Sequence, residues 1–279
     1  MNRNARKAAA EETLHIIESG SYIAPRGTTN DIAAAVRECR EATRLLTPEA
    51  LSALEHEVLA RPSPGYTTQI EVVNETTLVG VRRLVAEGGE VTALNFASAR
   101  SPGGGFLSGA QAQEESLARS SALYASQLAA PAFYERHRAS SSLLYSDTMI
   151  ASPRCPVFRD DDGVLLEAPH IVNFITSAAP NAGAIAQQRR DELPLIDATL
   201  RRRAGYVLAL AASQGWHRLV LGAWGCGVFR NDPRNVAEIF NTLMRGDAWR
   251  GRFEHVVFSV LDTSPTRATF RAFCDALVD

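Results

Sequence analysis

The sequence predicts an α/β fold: a mixed sheet flanked by helices over residues 66–279, preceded by an N-terminal helical extension over residues 1–65. Three observations predict it. Before the break at residues 62–65 the apolar residues recur only at helical spacing. After it, short runs of β-formers alternate with helical stretches, the pattern of a parallel or mixed sheet covered on both faces. Two glycine-rich loops, around Gly103 and Gly225, each follow directly on a strand-like run.

Residues 6–18 read as a helix, with Leu14, Ile16 and Ile17 apolar and Gly20 as its stop. Residues 21–30 read as loop, and Asp31 as the cap of a second helix running to Arg44. Thr47-Pro48 opens a third, in which Leu51, Leu54, Val58 and Leu59 recur. This part carries no recognisable chemistry and reads as a packing layer. A strand at 69–73, a helix at 75–87, a Gly88-Gly89 turn and a buried strand at 91–96 follow. The chain then enters the Gly103 loop and a single helix from Gln113, with Leu117, Tyr124 and Leu128 on one face.

Short strands at 145–150, 155–158 and 164–166 read as a hairpin excursion, interrupted by Pro153 and by a turn at 159–163. The three aspartates of that turn, Asp160 to Asp162 before Gly163, read as turn formers rather than a metal site. A buried strand at 170–176 precedes a long helix seeded by Pro194, with Ile196, Leu200, Val207, Leu208 and Ala211 on one face and Gly215 at its end. Arg201-Arg202-Arg203 reads as a solvated part of that helix. A strand at 218–221 runs into the loop at 222–230. Asn231 or Asp232 caps the next helix, with Pro233 in its first turn and Val236, Ile239, Phe240 and Leu243 as its buried stripe. A strand at 253–261 and a helix at 264–278 close the chain.

With 279 residues, 46% of them hydrophobic and 22% charged, the chain has enough apolar surface to bury a core without disulfides or metal. The net charge is −2, from 29 basic and 31 acidic residues, so no overall positive field draws it to nucleic acid and no direct DNA binding is expected. A polyanionic ligand has to be met by a local site. Cys39, Cys155, Cys226 and Cys274 show no Cys-x-x-Cys spacing, so neither a zinc site nor a disulfide framework is expected. The first 17 residues are charged and alanine-rich, unlike a secretory leader, and no apolar run approaches the about 18 residues of a membrane span. A monomer in a reducing cytoplasm is the expectation.

The chemistry is expected between Asn95 and Glu115. Gly103, Gly104 and Gly105 lack a Cβ, so their backbone can take positive φ and approach a bulky anion such as a diphosphate. Gln113-Glu114-Glu115 then opens a helix and brings two carboxyls close to that loop. The second loop, Gly225-Cys226-Gly227-Val228-Phe229, can open at the same sheet edge and meet a diphosphate from the other side. A dinucleotide-binding enzyme is the rival, but its Gly-x-Gly-x-x-Gly fingerprint fails because Arg230 stands where the third glycine belongs. Neither loop ends in Gly-Lys-Ser/Thr, which also argues against a nucleoside triphosphatase.

Strand, Asn, triple glycine, a seven-residue spacer from Phe106 to Ala112 and Gln-Glu-Glu together resemble the signature of the poly(ADP-ribose) glycohydrolases, in particular their bacterial-type branch. The late Gly-x-Gly-Val-Phe loop resembles that of macrodomains. The resemblance covers roughly residues 69–277 and implies a macrodomain-like sheet that binds ADP-ribose. The first sixty or so residues resemble only the helical extension of the bacterial branch. Carried over, it makes Glu115 the catalytic acid, Glu114 the residue that orients the ribose of the scissile bond, and Gly103 to Gly105 the diphosphate loop. It makes Asn95 and Gln113 further substrate contacts. Gly225, Cys226, Gly227 and Val228 would close on the phosphates, and Phe229 would pack on the terminal ribose or, as a plain aromatic, in the core. Family members commonly carry Asn where this chain has Ser98, and a hydroxyl does not reproduce an amide's donor and acceptor geometry.

The implied reaction cuts a ribose–ribose bond through an oxocarbenium-like state, with one carboxyl as acid and then base and no metal or cofactor. Adjacent residues on a helix point about 100° apart, so the two glutamates have distinct roles. Poly(ADP-ribose), ADP-ribose and ADP-ribosylated proteins are the implied partners. The alternatives are a non-catalytic ADP-ribose reader, for which Gln113-Glu114-Glu115 has no evident use, and a hydrolase of another ADP-ribose conjugate.

Overall fold

A computed structural model of the chain describes residues 1–278. In chain order the elements are α1 (Arg3–Ser19), β1 (Ser21–Ile23), β2 (Thr29–Asp31), α2 (Ala33–Ala42), β3 (Arg44–Leu46), α3 (Pro48–Ala60), β4 (Gln69–Val73), α4 (Thr77–Ala86), β5 (Thr92–Phe96), α5 (Gln113–Ser120), α6 (Leu123–Leu128), α7 (Pro131–Ala139), β6 (Met149–Arg159), β7 (Leu165–Ser177), α8 (Ala182–Gln188), α9 (Ile196–Ser213), β8 (Arg218–Leu221), α10 (Pro233–Arg245), β9 (His255–Ser259) and α11 (Ala268–Leu277). Among the described residues seven strands form one mixed sheet in the order β3-β6-β7-β5-β8-β9-β4. Strands β7, β5, β8, β9 and β4 run parallel to one another, while β6 is antiparallel to both its neighbours.

The period-2 pattern of the central strands divides the core. Leu94, Ile175, Leu219, Leu221, Val256 and Phe258 join α3, α9, α10 and α11 on one face. Their neighbours Ala93, Phe174, Val220 and Val257 join α1, α2, α4 and α5 on the other. Both faces are covered, as a parallel sheet requires. Asp232 caps α10 as expected and Asp31 accepts the N–H of Ala33 at 2.9 Å, while Thr47 and Thr76 each also accept an N–H in the first turn of their helix.

Four expectations need correction. Residues 21–30 are not plain loop, because β1 and β2 pair as a hairpin that buries Tyr22 against Phe158. The second helix stops at Ala42, and Arg44 begins β3, which pairs with β6 at the sheet edge. The N-terminal segment thus supplies a strand to the main sheet. The helix from Gln113 is two helices, because Ser121 is extended, bridges Val157, and is followed by Ala122 N–H donating to Pro156 O at 3.0 Å. Finally, β6 runs unbroken through Pro153 and Pro156. A bulge at Arg154 (φ 53°), whose N–H donates to Asn173 Oδ1 at 2.8 Å, accommodates Pro153, and Pro156 stays in register with Ile171 while its carbonyl accepts from Ala122 N–H. Helices α7 and α8 have no counterpart in the sequence reading.

Candidate active site

The loops after β5, β7 and β8 leave the same edge of three neighbouring parallel strands, the crevice where open α/β sheets hold ligands. A Cβ on Gly222, the first residue past β8, would meet Ser259 O at 2.5 Å and the Phe96 ring at 3.1 Å, so the strand ends are closely packed there. Trp224 fixes the β8 loop to the β7 end by donating Nε1–H to Ser177 O at 3.1 Å.

The first turn of α5 is pinned to β5 by Gln113. Its Oε1 accepts from Phe96 N–H at 2.9 Å, and its Nε2 donates to Leu94 O at 2.7 Å and to Thr77 Oγ1 at 3.1 Å. Gln113, expected as a substrate contact, thus spends both ends of its amide on holding the start of α5 over β5. Asn95, also expected as a substrate contact, is fully buried and donates from Nδ2 to Glu114 Oε1 and Thr176 Oγ1, both at 3.2 Å. It supports Glu114 from inside rather than facing solvent.

The two glutamates occupy different environments. Glu114 is 3% exposed and accepts from Asn95, from Gln127 Nε2 at 2.8 Å and from Ser98 N–H at 2.6 Å. Burial pushes its carboxyl up to about 8, against the pull of these three donors. Glu115 is half-buried. Its Oε1 accepts from Gly105 N–H at 3.0 Å, and its Oε2 has no protein hydrogen bond among the described residues. Gly104 lies against both carboxyls: at φ 58°, a Cβ there would come 2.4 Å from Glu115 Oε1 and 3.2 Å from Glu114 Oε2. Neighbouring Gly103 and Gly105 are equally confined, by the Phe106 ring at 2.7 Å and Ala110 Cβ at 2.9 Å. Ser98 uses its hydroxyl locally, accepting from Arg100 and Ser101 N–H at 3.3 and 3.2 Å.

Beneath the spacer sits Arg119, one helical turn after Glu115 and 1% exposed. It donates to Ala110 O at 2.8 Å, to Ser116 Oγ at 3.3 Å and to Gln111 Oε1, tying the end of the glycine loop to α5. Arg3 and Arg6 of α1 donate to Ser108 O and Gly109 O at 3.1 and 2.8 Å, so the N-terminal helix braces the same loop.

The second loop is built from backbone. Asn231 Nδ2 donates to Pro180 O at 2.8 Å and Gly225 O at 3.1 Å, latching the loop to the segment after β7. Gly225 (φ 72°) has no room for a Cβ, which would stand 2.5 Å from both Ala179 Cβ and Asn231 Nδ2. Two residues on, a Cβ at Gly227 would meet nothing within 4 Å, and Val228 is 79% exposed. The N–H groups of Gly227, Val228 and Phe229 have no protein acceptor among the described residues, and three successive donors of this kind suit an anion. Cys226 offers no reactive thiol, since burial pushes it up to about 12, with the charge of Asp232 adding to the effect. Phe229 is half-buried, packed on the core at one side and 5.9 Å from the Tyr145 ring at the other.

Gln127, Arg119, Asn231 and Arg203 were not legible as site-building residues. Arg203, read as part of a solvated triplet, is fully buried and donates to Ala178 O, to Leu144 O at 3.0 Å and to Asp147 at 2.9 Å. It thereby fixes the segment that carries Tyr145. Among the described residues no group of three or more His, Cys, Asp or Glu side chains is placed to hold a metal ion, and no helix is long and apolar enough to cross a membrane.

A family model described as the microbial-type PARG catalytic domain matches residues 10–160, more than half of the chain. The crystal structure of poly(ADP-ribose) glycohydrolase from Thermomonospora curvata is 51% identical, covers 98% of this chain and 100% of its own, and superposes with a TM-score of 0.93. The same enzyme bound to the inhibitor ADP-HPD is 51% identical over 98% of this chain and 99% of its own, with a TM-score of 0.90. The Deinococcus radiodurans enzyme in complex with ADP-ribose is 51% identical over 87% of this chain and 97% of its own, with a TM-score of 0.84. No curated protein matches the chain in a sequence search. With the family model covering more than half of the chain and these structures about half identical over most of it, the chain belongs to the microbial-type poly(ADP-ribose) glycohydrolase family.

Proposed function

We propose that this chain hydrolyses the ribose–ribose glycosidic bonds of poly(ADP-ribose) and releases ADP-ribose, with Glu115 as general acid and then general base. The observation that carries this reading is the contrast within one helical turn. Glu115 has one carboxyl oxygen held by Gly105 N–H and the other free, while Glu114 beside it is buried under three donors. A group that must give and then recover a proton needs an oxygen turned away from the protein. Kinship to enzymes solved with ADP-ribose and with ADP-HPD supports the ligand class.

In this mechanism the free N–H groups of Gly227 to Phe229 take the diphosphate, while the Gly103–Gly105 loop, whose Gly104 and Gly105 N–H groups are already held by Ser101 O and Glu115 Oε1, packs against the two carboxyls. Glu114 orients the ribose of the scissile bond, its own position fixed by Asn95, Gln127 and Ser98 N–H. Glu115 gives its proton to the leaving 2′-oxygen as the glycosidic bond breaks and the oxocarbenium character develops. The resulting carboxylate takes a proton from the water that attacks the anomeric carbon, which returns the site to its starting state. Phe229, backed by Tyr145, packs on the terminal ribose. ADP-ribosylated proteins are the natural carriers of such a substrate, and the reaction needs no resident cofactor.

The test is release of ADP-ribose from the polymer in the presence of a chelator, by the wild type and by Glu115→Gln, with ADP-ribose binding measured on both. Release by the wild type alone, with both proteins binding, is the expected outcome. Binding without release by the wild type would make the chain a reader or a hydrolase of another conjugate.

A further inference from the structure

Arg230 is the residue of the second loop for which the mechanism above has no use. It stands directly after Phe229, where a dinucleotide fingerprint carries its third glycine. The backbone favours glycine there as well: φ is 58°, in the left-handed region that residues bearing a Cβ rarely adopt. The chain nonetheless places an arginine at this position. Its side chain is exposed and, among the described residues, has no carboxylate within ion-pair distance and no acceptor for its guanidinium.

What the protein does with the residue is confined to its stem and backbone. Arg230 N–H donates to Gly227 O at 3.1 Å, and Gly183 N–H donates to Phe229 O at 2.9 Å. The aliphatic stem lies on Gly183, where a Cβ would stand 2.9 Å from its Cδ. The stem is thus laid across the start of α8, on an exposed residue that directly follows the run of free N–H groups in the chain. Since nothing inside the fold uses the charge and the backbone is strained to hold it, its use is outside the fold.

We propose that Arg230 is a diphosphate-binding cation, pairing with the phosphate oxygens of the ADP-ribose unit seated on the Gly227–Phe229 donors or of the next unit of the polymer. This rests on the function proposed above. A protein of net charge −2 gains no attraction for a polyanion from its overall field. Backbone donors offer partial charges only, whereas a guanidinium offers a full charge and paired N–H groups matched to phosphate oxygens.

The backbone strain gives a clean test, because Arg230→Gly removes the charge while relieving the conformation. Arg230→Gly should melt at or slightly above the wild-type temperature. At low salt it should raise the Kd for ADP-ribose or the KM for size-fractionated polymer about fivefold to tenfold, with kcat unchanged, and the difference should shrink as salt is added. Arg230→Lys should recover part of the loss, and Arg37→Ala, which removes an exposed charge from α2, should change neither constant. A loss for ADP-ribose itself identifies the seated unit's diphosphate as the partner, and a loss for polymer alone identifies the neighbouring unit's. Wild-type constants for Arg230→Gly with both ligands at low salt would falsify the proposal. The readings fail separately: a wild type that binds ADP-ribose but releases nothing from polymer sinks the hydrolase function, and the binding comparison still decides Arg230. A wild type that does neither overturns both.

Discussion

The two glycine loops at the sheet edge are built on opposite principles. In the loop after β5 each glycine is walled in, and side chains do the holding: Glu115 takes Gly105 N–H, Glu114 takes Ser98 N–H, and Arg119 ties down the spacer. In the loop after β8 Gly222 and Gly225, at its base, are walled in, the outer residues are open, and the N–H groups of Gly227, Val228 and Phe229 are left without acceptors among the described residues. A proton-transferring group needs a rigid surround, since its geometry sets the barrier, whereas an anion seat needs free donors and room for the anion. The same residue type therefore serves close packing in one loop and open access in the other.

The most severe break of this contrast is Glu115→Gln. It keeps an oxygen for Gly105 N–H but has no proton to cycle, so the rate of ADP-ribose release should fall about 10²- to 10⁴-fold with ADP-ribose affinity retained, as measured by turnover and titration calorimetry. Next comes Gly104→Ala. Its methyl would stand 2.4 Å from Glu115 Oε1 on a backbone with φ 58°. Displacing that carboxyl should lower the rate about 100-fold and the strain should destabilise the fold by about 1–3 kcal/mol, read by denaturant melts.

A third test uses pH. The Glu114 carboxyl rises from an ordinary 4.5 to about 8 on folding, so below 4.5 both folded and unfolded chains carry the proton and the stabilisation is complete. Between 4.5 and 8 the unfolded chain releases its proton first, and stability falls as pH rises through that window. At about 1.4 kcal/mol per unit this loss is on the order of 5 kcal/mol across the window, the three opposing donors already being included in the shift. Glu114→Gln should flatten that slope, and melting curves from pH 5 to 8 that keep it would show that burial does not control this carboxyl. The smallest effect is expected at Gly227→Ala, where the added methyl meets no protein atom within 4 Å. Its stability should stay within about 0.5 kcal/mol of wild type, while KM rises if the anion does approach that face. An equal loss of stability at Gly104 and Gly227 would erase the distinction between the loops.

Where the structure adds what the sequence does not show, a distant partner is responsible. Asn95 and Gln113 are polar residues beside a glycine loop, and pattern alone cannot tell a side chain facing a ligand from one facing the strand beneath. Gln113 faces the strand because α5 starts directly over the end of β5. Ser121 leaves a helical pattern because Pro156 and Val157, thirty-five residues on, offer it a strand to pair with. Arg203 looks solvated until three carbonyls from two other segments converge on it.

The sequence by itself determined the alternation of strands and helices, the helix caps, the two glycine loops at one sheet edge and the adjacent glutamates at a helix start. Each of these follows from short-range physics: side-chain periodicity, the φ freedom of glycine and the satisfaction of first-turn N–H groups. Only the tertiary structure decided that Glu114 is buried and Glu115 has a free oxygen, that Gln127 and Asn95 hold the one while Gly105 holds the other, and that Arg230 is exposed with no partner for its charge among the described residues. Burial and hydrogen-bond partnership are set by residues distant in sequence, and such contacts leave no periodic trace in the chain that makes them.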